Sequence, residues 1–208
     1  MRMTTSDRQF HVPCTAPWML GLLIGLPFLE GCAPSAATLA VTEACEADDV
    51  PALRQLVATG AHRKRIQIGD EPIGDSWMYP IHAAAQYGSA EALKVFLAAG
   101  CDPNQRDSDD KTPLMYLLEG EAGDDATILQ CIGILRESGA DVNCASKHGN
   151  TALHFAAMYH SRQIVARLFE CGADVDAVDH VGKTPLDICK ENPKCDFVEL
   201  LQKQMPLK

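Results

Sequence analysis

A short block of residues recurs four times along this chain, and the recurrence restricts the fold more than any other feature of the sequence. The copies are Tyr79-Pro-Ile-His82-Ala-Ala, Thr112-Pro-Leu-Met115, Thr151-Ala-Leu-His154-Phe-Ala-Ala and Thr184-Pro-Leu-Asp187; their second positions, Pro80, Pro113, Ala152 and Pro185, lie 33, 39 and 33 residues apart. A second marker, glycine followed by a small residue, falls at Gly60, Gly100, Gly139 and Gly172, with separations of 40, 39 and 33. Two independent markers sharing a 33-residue period, lengthened by insertions of seven and six, predict a stack of equivalent supersecondary units. No such unit buries its apolar face alone, so about three or more must stack and the end units must be atypical.

One unit can be read from its residues. Thr151 or Thr184 is predicted to cap a first helix through its hydroxyl, and Pro185 at the first helical position gives up an N–H that has no helical partner anyway. Ala156-Ala157 and Ala83-Ala84-Ala85 keep that helix thin, so neighbouring first helices can stack closely. Gln163-Ile-Val-Ala-Arg-Leu-Phe169 and Ala92-Leu-Lys-Val-Phe-Leu97 have the spacing of a second, amphipathic helix. Gly172 and Gly100 stand where a left-handed residue ends it. From Asp174 to Gly182 the chain runs extended into a turn that leads to the next threonine. Aromatics make up only 6% of the 208 residues, which favours closely packed helices over a β-sandwich. With 47% hydrophobic residues, disorder and collagen are excluded.

These blocks resemble the ankyrin-repeat family over about residues 40–205. The resemblance implies an all-α solenoid of about five helix-turn-helix units joined by extended turns: a degenerate cap 40–68, units 75–107, 108–146 and 147–179, and a cap 180–208. Three departures from the repeat stand out. Between Ala61 and Trp77 the connection is long and carries Arg63-Lys64-Arg65. In the third unit Leu117-Leu118 replace two alanines, and Glu119 to Asp125 enlarge the inter-helix loop. In the last, Lys190-Glu-Asn-Pro193 replaces the small residues and the loop glycine.

The first thirty-odd residues read differently. Met1 to Trp18 is polar with Arg2 and Arg8, followed by an eleven-residue apolar run, Met19 to Leu29. At 1.5 Å per residue such a run is too short for a ~30 Å hydrocarbon core and fits the hydrophobic region of a signal peptide, 1–31. Leu29-Glu30-Gly31-Cys32 resembles a bacterial lipobox, which implies cleavage before Cys32 and a diacylglycerol on its sulfur, with 32–39 as a lipidated linker. Glu30 departs from that pattern, whose residue there is small or apolar. Ala33 beside the cysteine, rather than an aspartate, resembles lipoproteins sent to the outer membrane. A cleaved signal without lipid and a core helix ending in a plain cysteine are the alternatives. Residues 1–31 hold two cations and two anions, so the net charge of −10 stays with the remainder.

Lys plus Arg is 18 against 28 for Asp plus Glu, and no basic stripe exists for a nucleic-acid backbone. Nine cysteines contain no Cys-x-x-Cys. Cys131 and Cys189 occupy helix positions expected to be apolar and read as core thiols. A bond between Cys189 and Cys195 is the alternative for that pair, and it needs a Cα separation under ~7 Å. His148, His154 and His160 are six apart and share no helix face; His154, like His82, falls where its ring can bond the turn of its own or a neighbouring unit. No metal, cofactor or catalytic constellation is expected, and the many aspartates read as turn formers and solvated faces.

By the family resemblance, partners are held by the turn tips and the exposed end of each first helix, along a concave strip. The tips are Trp77 and Met78; Arg106, Ser108, Asp109 and Lys111; Lys147, His148 and Asn150; His180, Val181 and Lys183. The helix positions are Gln86, Tyr87, Glu119, Met158 and Tyr159. Trp77 has a second reading, as an anchor packed under the long connection. The expected function is protein binding by a lipid-anchored periplasmic protein, an inhibitor or immunity protein that blocks a toxic or hydrolytic enzyme. The alternatives are a scaffold for an envelope or oxidative-stress enzyme, a cryptic enzyme or haem or metal carrier, and a cytosolic or host-delivered ankyrin protein whose leader has been misread.

Overall fold

The computed structural model describes residues 36–67, 77–120, 123–159, 161–193, 195 and 197–204. The leader, Cys32 and His160 lie outside the described residues. Everything described falls in one compact unit, 33–208.

Ten α-helices among the described residues come in five pairs: α1 (Ala36–Glu46) with α2 (Val50–Ala58), α3 (Pro80–Gln86) with α4 (Ala90–Ala98), α5 (Pro113–Glu119) with α6 (Asp125–Glu137), α7 (Ala152–Tyr159) with α8 (Arg162–Glu170), and α9 (Pro185–Glu191) with α10 (Val198–Gln204). Each implied unit supplies one pair, and α1 begins ahead of the boundary expected at residue 40. The body is helical, with one addition that the repeat pattern does not contain. β1 (Ile66–Gln67) pairs antiparallel with β2 (Trp77–Met78), Ile66 opposite Met78 and Gln67 opposite Trp77, so the long first connection folds back on itself as a small ribbon.

Local chemistry sets the helix boundaries. Asp49, Ser89 and Asp124 accept hydrogen bonds from the N–H groups of Ala52, Ala92 and Thr127, each relieving one of the unpaired donors of a helix start. Thr184 does the same for Asp187 N–H at 3.3 Å, while the Asp187 carboxylate accepts from Thr184 N–H at 3.2 Å. Thr151 departs from expectation. Its hydroxyl and N–H both donate to Nδ1 of His154, at 2.9 and 3.1 Å, so the histidine satisfies the entry to the helix and the threonine serves the histidine. The second helices of the inner units end at Gly100, Gly139 and Gly172, whose φ angles of 84°, 92° and 86° lie in the left-handed region.

The first helices form one row, α1 on α3, α3 on α5, α5 on α7 and α7 on α9, and α2, α4, α6 and α8 form a second behind it. Ala83, Ala84, Ala85, Ala156 and Ala157 are buried in the first row, where a thin helix is what close stacking requires. Leu117 and Leu118, which replace alanines in the third unit, are also buried and fill the core. Leu93, Phe96, Ile132, Leu135, Ile164 and Leu168 seal the space between the rows.

The turns between units project as fingers, and each is tied to the next by one backbone hydrogen bond. Ser108 N–H donates to Trp77 C=O (3.2 Å), Lys147 N–H to Asp109 C=O (2.8 Å) and His180 N–H to His148 C=O (2.9 Å). At the opposite ends of the helices a side-chain ladder repeats: Asn104 bonds Gly139 C=O and Asp141 N–H, and Asn143 bonds Gly172 C=O and Asp174 N–H. Gly149 shows how close the fingers lie. With φ at +81°, a Cβ there would meet His180 N at 2.8 Å and the Cα of Asp179 at 2.9 Å. Gly149→Ala therefore combines left-handed strain with a backbone clash, and we expect it to lower unfolding free energy by about 2 kcal/mol or more, measured by urea titration. A cost indistinguishable from zero would show that the finger row yields freely.

A candidate protein-binding strip

The bases of two fingers are bonded to the ends of first helices, which puts tip and helix end on one face. Lys111 Nζ lies 2.6 Å from Glu119 and Lys183 Nζ lies 2.6 Å from Glu191. Lys111 also stands 5.7 and 5.8 Å from the ring centroids of Tyr116 and Phe155. The intervening unit carries Asn150 and Met158 at the equivalent places, so its helix end is uncharged and sits between two neutralised pairs. The next residue along each first helix is Tyr87, Gly120, Tyr159 and Asn192 in turn. Tyr87 and Tyr159 are 41% and 64% exposed. Gly120 separates them for a packing reason: a Cβ would meet the backbone oxygen of Gln86 at 2.7 Å, so no side chain fits. Beside Tyr159 opens a groove of about 480 Å³ lined by Met158, Tyr159, Ile188, Glu191, Asn192 and Pro193.

Several expected tip residues are engaged otherwise. Met78 is buried at 6% exposure, because alternation along β2 turns it to the core, so it is corrected from a contact residue to a core residue. Trp77 is half-buried, with the Arg65 guanidinium 3.9 Å over its ring and Tyr79 edge-on at 5.6 Å. Its backbone N–H donates to the Ser108 hydroxyl at 3.2 Å, and its ring is engaged within the chain by Arg65 and Tyr79. Arg106 donates to Ala145 C=O at 3.2 Å and lies 3.7 Å from Asp110, and Asp109 lies 4.0 Å from Lys147. Gln86, Lys147, His148, His180 and Val181 are exposed, the last at 80%. Arg63, Lys64 and Arg65 are exposed as well.

Residues that build the fingers escaped the sequence reading. Asp107 Oδ1 accepts from the N–H groups of Asp109 and Lys111, and its Oδ2 accepts from the buried Tyr116 hydroxyl at 2.7 Å. Asp179 holds Val181 and Lys183 in the same way. Both stand five residues before the helix-opening threonine, so a register comparison of the repeats could have found them. Val178, 57% exposed, was also missed, since one valine in an extended stretch carries no signal.

The two repeat histidines are buried and fully used. Nδ1 of His82 accepts Tyr79 N–H at 3.0 Å and its Nε2 faces Gln105 C=O at 2.9 Å and Lys111 C=O at 3.2 Å. In His154, Nδ1 accepts from Thr151 and Nε2 faces Lys183 C=O at 3.1 Å. A backbone N–H only donates and a carbonyl only accepts, so both rings are neutral with the proton on Nε2. Each thereby joins its own helix start to the finger of the following unit. The buried thiols are of the inert kind: burial pushes Cys131 up to about 11 and Cys45 up to about 12. Cys189 and Cys195 form a disulfide, with Cα atoms 5.4 Å apart. Among the described residues no group of three or more His, Cys, Asp or Glu is placed to hold a metal, and no helix is long and apolar enough to cross a membrane.

A stack of thin-faced helix pairs with hydrogen-bonded fingers and an exposed strip defines a repeat-built binding protein. Family models described as ankyrin repeats match residues 73–117 and 121–206, together well over half of the chain, which belongs to the ankyrin-repeat family and is a protein-binding module. It is similar to neurogenic locus notch homolog protein 2 of Homo sapiens, 36% identical over 51% of this chain and 4% of that protein. Ankyrin repeat and SOCS box protein 5 of Mus musculus is 32% identical over 61% of this chain and 36% of its own length. A transient receptor potential cation channel subfamily A member 1 homolog of Caenorhabditis elegans is 31% identical over 66% and 11%. The chain thus spans roughly a third or less of these relatives.

The histidines carry a pH dependence. Burial, the largest influence, lowers the pKa of both His82 and His154 below the usual histidine value. In the unfolded chain each takes up a proton near pH ~6.5, ahead of the folded state. Unfolding is therefore favoured as pH falls, and the stability present above ~6.5 is lost progressively below it. The melting temperature should decline between pH 7 and 5, and the double variant His82→Gln, His154→Gln should show a flatter profile from a lower start. Equal slopes in the two proteins would rule the histidines out as its source.

Proposed function

We propose that this chain binds a partner protein along the strip running from Tyr87 to Tyr159 and the last finger, and that it does so from the bacterial envelope, tethered through Cys32, to block a toxic or hydrolytic enzyme. The observation that carries the binding reading is the exposure of two tyrosines at equivalent helix positions. Packing leaves their place on the strip free, and large amphipathic rings there are what binding hot spots use. Neighbouring charges are already paired within the strip, so a partner meets no unneutralised lysine at its centre. The envelope reading draws on the leader pattern and on the Cys189–Cys195 disulfide, a bond that persists in oxidising compartments. An acidic chain that offers shape and charge alone suits inhibition.

The experiment is affinity capture from the native envelope with the protein anchored through Cys32, a Cys32→Ser control, and mass identification of bait and partner. A stoichiometric enzyme on a diacylglyceryl bait supports the proposal; an unlipidated bait starting at Met1 with cytosolic partners only removes the envelope part. Given the partner, Tyr87→Ala with Tyr159→Ala should weaken binding by about 2–4 kcal/mol at an almost unchanged melting temperature. Loss of the fold instead would make these rings structural. Reversing the charges of Arg63, Lys64 and Arg65 should slow association about tenfold at low salt if they steer an acidic partner, and an unaltered on-rate places them outside the encounter surface.

A further inference from the structure

The last unit carries a covalent closure that the described residues of the other units lack. Where α1 passes to α2, α3 to α4 and α5 to α6, a residue in the left-handed region turns the chain: Asp48 at φ 52°, Gly88 at 66° and Gly123 at 84°. Asp49, Ser89 or Asp124 then caps the following helix. Among the described residues between α9 and α10 none takes that conformation. Asn192, at the end of α9, is extended with φ −88°, and the segment is closed covalently by Cys189–Cys195. Within the cross-linked segment Asn192 Nδ2 donates to Met158 C=O at 2.9 Å and reaches Ala157 C=O at 3.5 Å. Both carbonyls belong to the last turn of α7, the part of a helix whose carbonyls call for partners from outside it. Asn192 and Pro193 also form one wall of the groove whose other wall is Met158 and Tyr159. The cross-link therefore holds in place both the cap of α7 and the wall facing the exposed tyrosine.

We propose that Cys189–Cys195 is a redox latch on the Tyr159 end of the binding strip; its bearing on binding rests on the strip being the binding surface. Cys189 is buried whereas Cys195 is half-buried, so a dithiol reductant enters at Cys195. Its thiolate attacks the Cys195 sulfur, the S–S bond breaks, and Cys189 leaves as a thiolate that takes up a proton. The reductant's second thiolate then attacks its own sulfur in the mixed disulfide and releases Cys195; the protein gains two thiols and the dithiol is oxidised to a disulfide. Reduction frees the segment carrying Asn192 and Pro193, uncaps α7 and opens the groove wall. α9 and α10 stay docked, because Leu186, Phe197 and Leu201 remain buried in the core.

Hydrogen exchange with mass readout on the purified chain, with and without dithiothreitol, tests the latch. Peptides covering 186–197 should exchange at least tenfold faster when reduced, those covering 80–119 should not change, and Cys189→Ala, Cys195→Ala should match the reduced protein without responding to dithiothreitol. If that variant fails to fold, the wild-type pair of states still decides. Thiol titration of the unfolded, untreated protein should find two fewer thiols than the same protein after dithiothreitol treatment. Equal thiol counts before and after dithiothreitol, equal exchange in both states, or acceleration spread over every unit would overturn the proposal. The binding reading fails separately, through the tyrosine variants, whatever the exchange shows.

Discussion

Every unit of this protein depends on the hydrogen-bonding groups that its neighbour's turn leaves over. Successive fingers share one backbone hydrogen bond each, and that bond forms only if the helices behind them stack at one spacing. The alanines of the first row allow that spacing, and His82 and His154 maintain it by holding a helix start with one ring nitrogen and the next finger with the other. A buried imidazole with both nitrogens satisfied costs little, while one cut off from either partner would be an orphan in the core. The repeats are locked in register by polar groups and packed by apolar ones.

The same economy shapes the strip. Lysines at the finger bases are neutralised by glutamates at the helix ends in the third and fifth units, and the fourth unit dispenses with the pair. What remains for a partner is a run of alternating features: Tyr87, the notch at Gly120, Tyr159 and the groove bounded by Asn192 and Pro193. The aspartates, which dominate the charge of the chain, are largely occupied elsewhere. Asp107 and Asp179 tie their fingers together, and Asp102, Asp141 and Asp174 each accept a hydrogen bond from the backbone two residues on, as short acceptors in turns commonly do.

The 33-residue period, with the family resemblance it carries, pointed without any structure to a helical stack of about five units, to where the first helices of the four marked units start, to Gly100 and Gly172 as left-handed helix ends, and to repeat histidines that serve the turns. Those features are local: a proline, a threonine, a glycine or a thin alanine face acts within its own unit, and repetition made the signal redundant. Four things were decided only in the folded molecule. The long connection pairs with itself as a ribbon, which buries Met78 and lays Trp77 under Arg65, because a two-residue strand leaves no periodicity to read. The Asp and Asn ladders depend on the separation between units, which no single unit specifies. Whether Cys189 stays a thiol or bonds Cys195 turned on a Cα distance set by the docking of α10, and the gap between Tyr87 and Tyr159 turned on how closely α3 approaches α5 at Gly120. Sequence thus determined what each unit is, and the spacing between units, a property of packing many side chains at once, decided which of its residues are left for a partner.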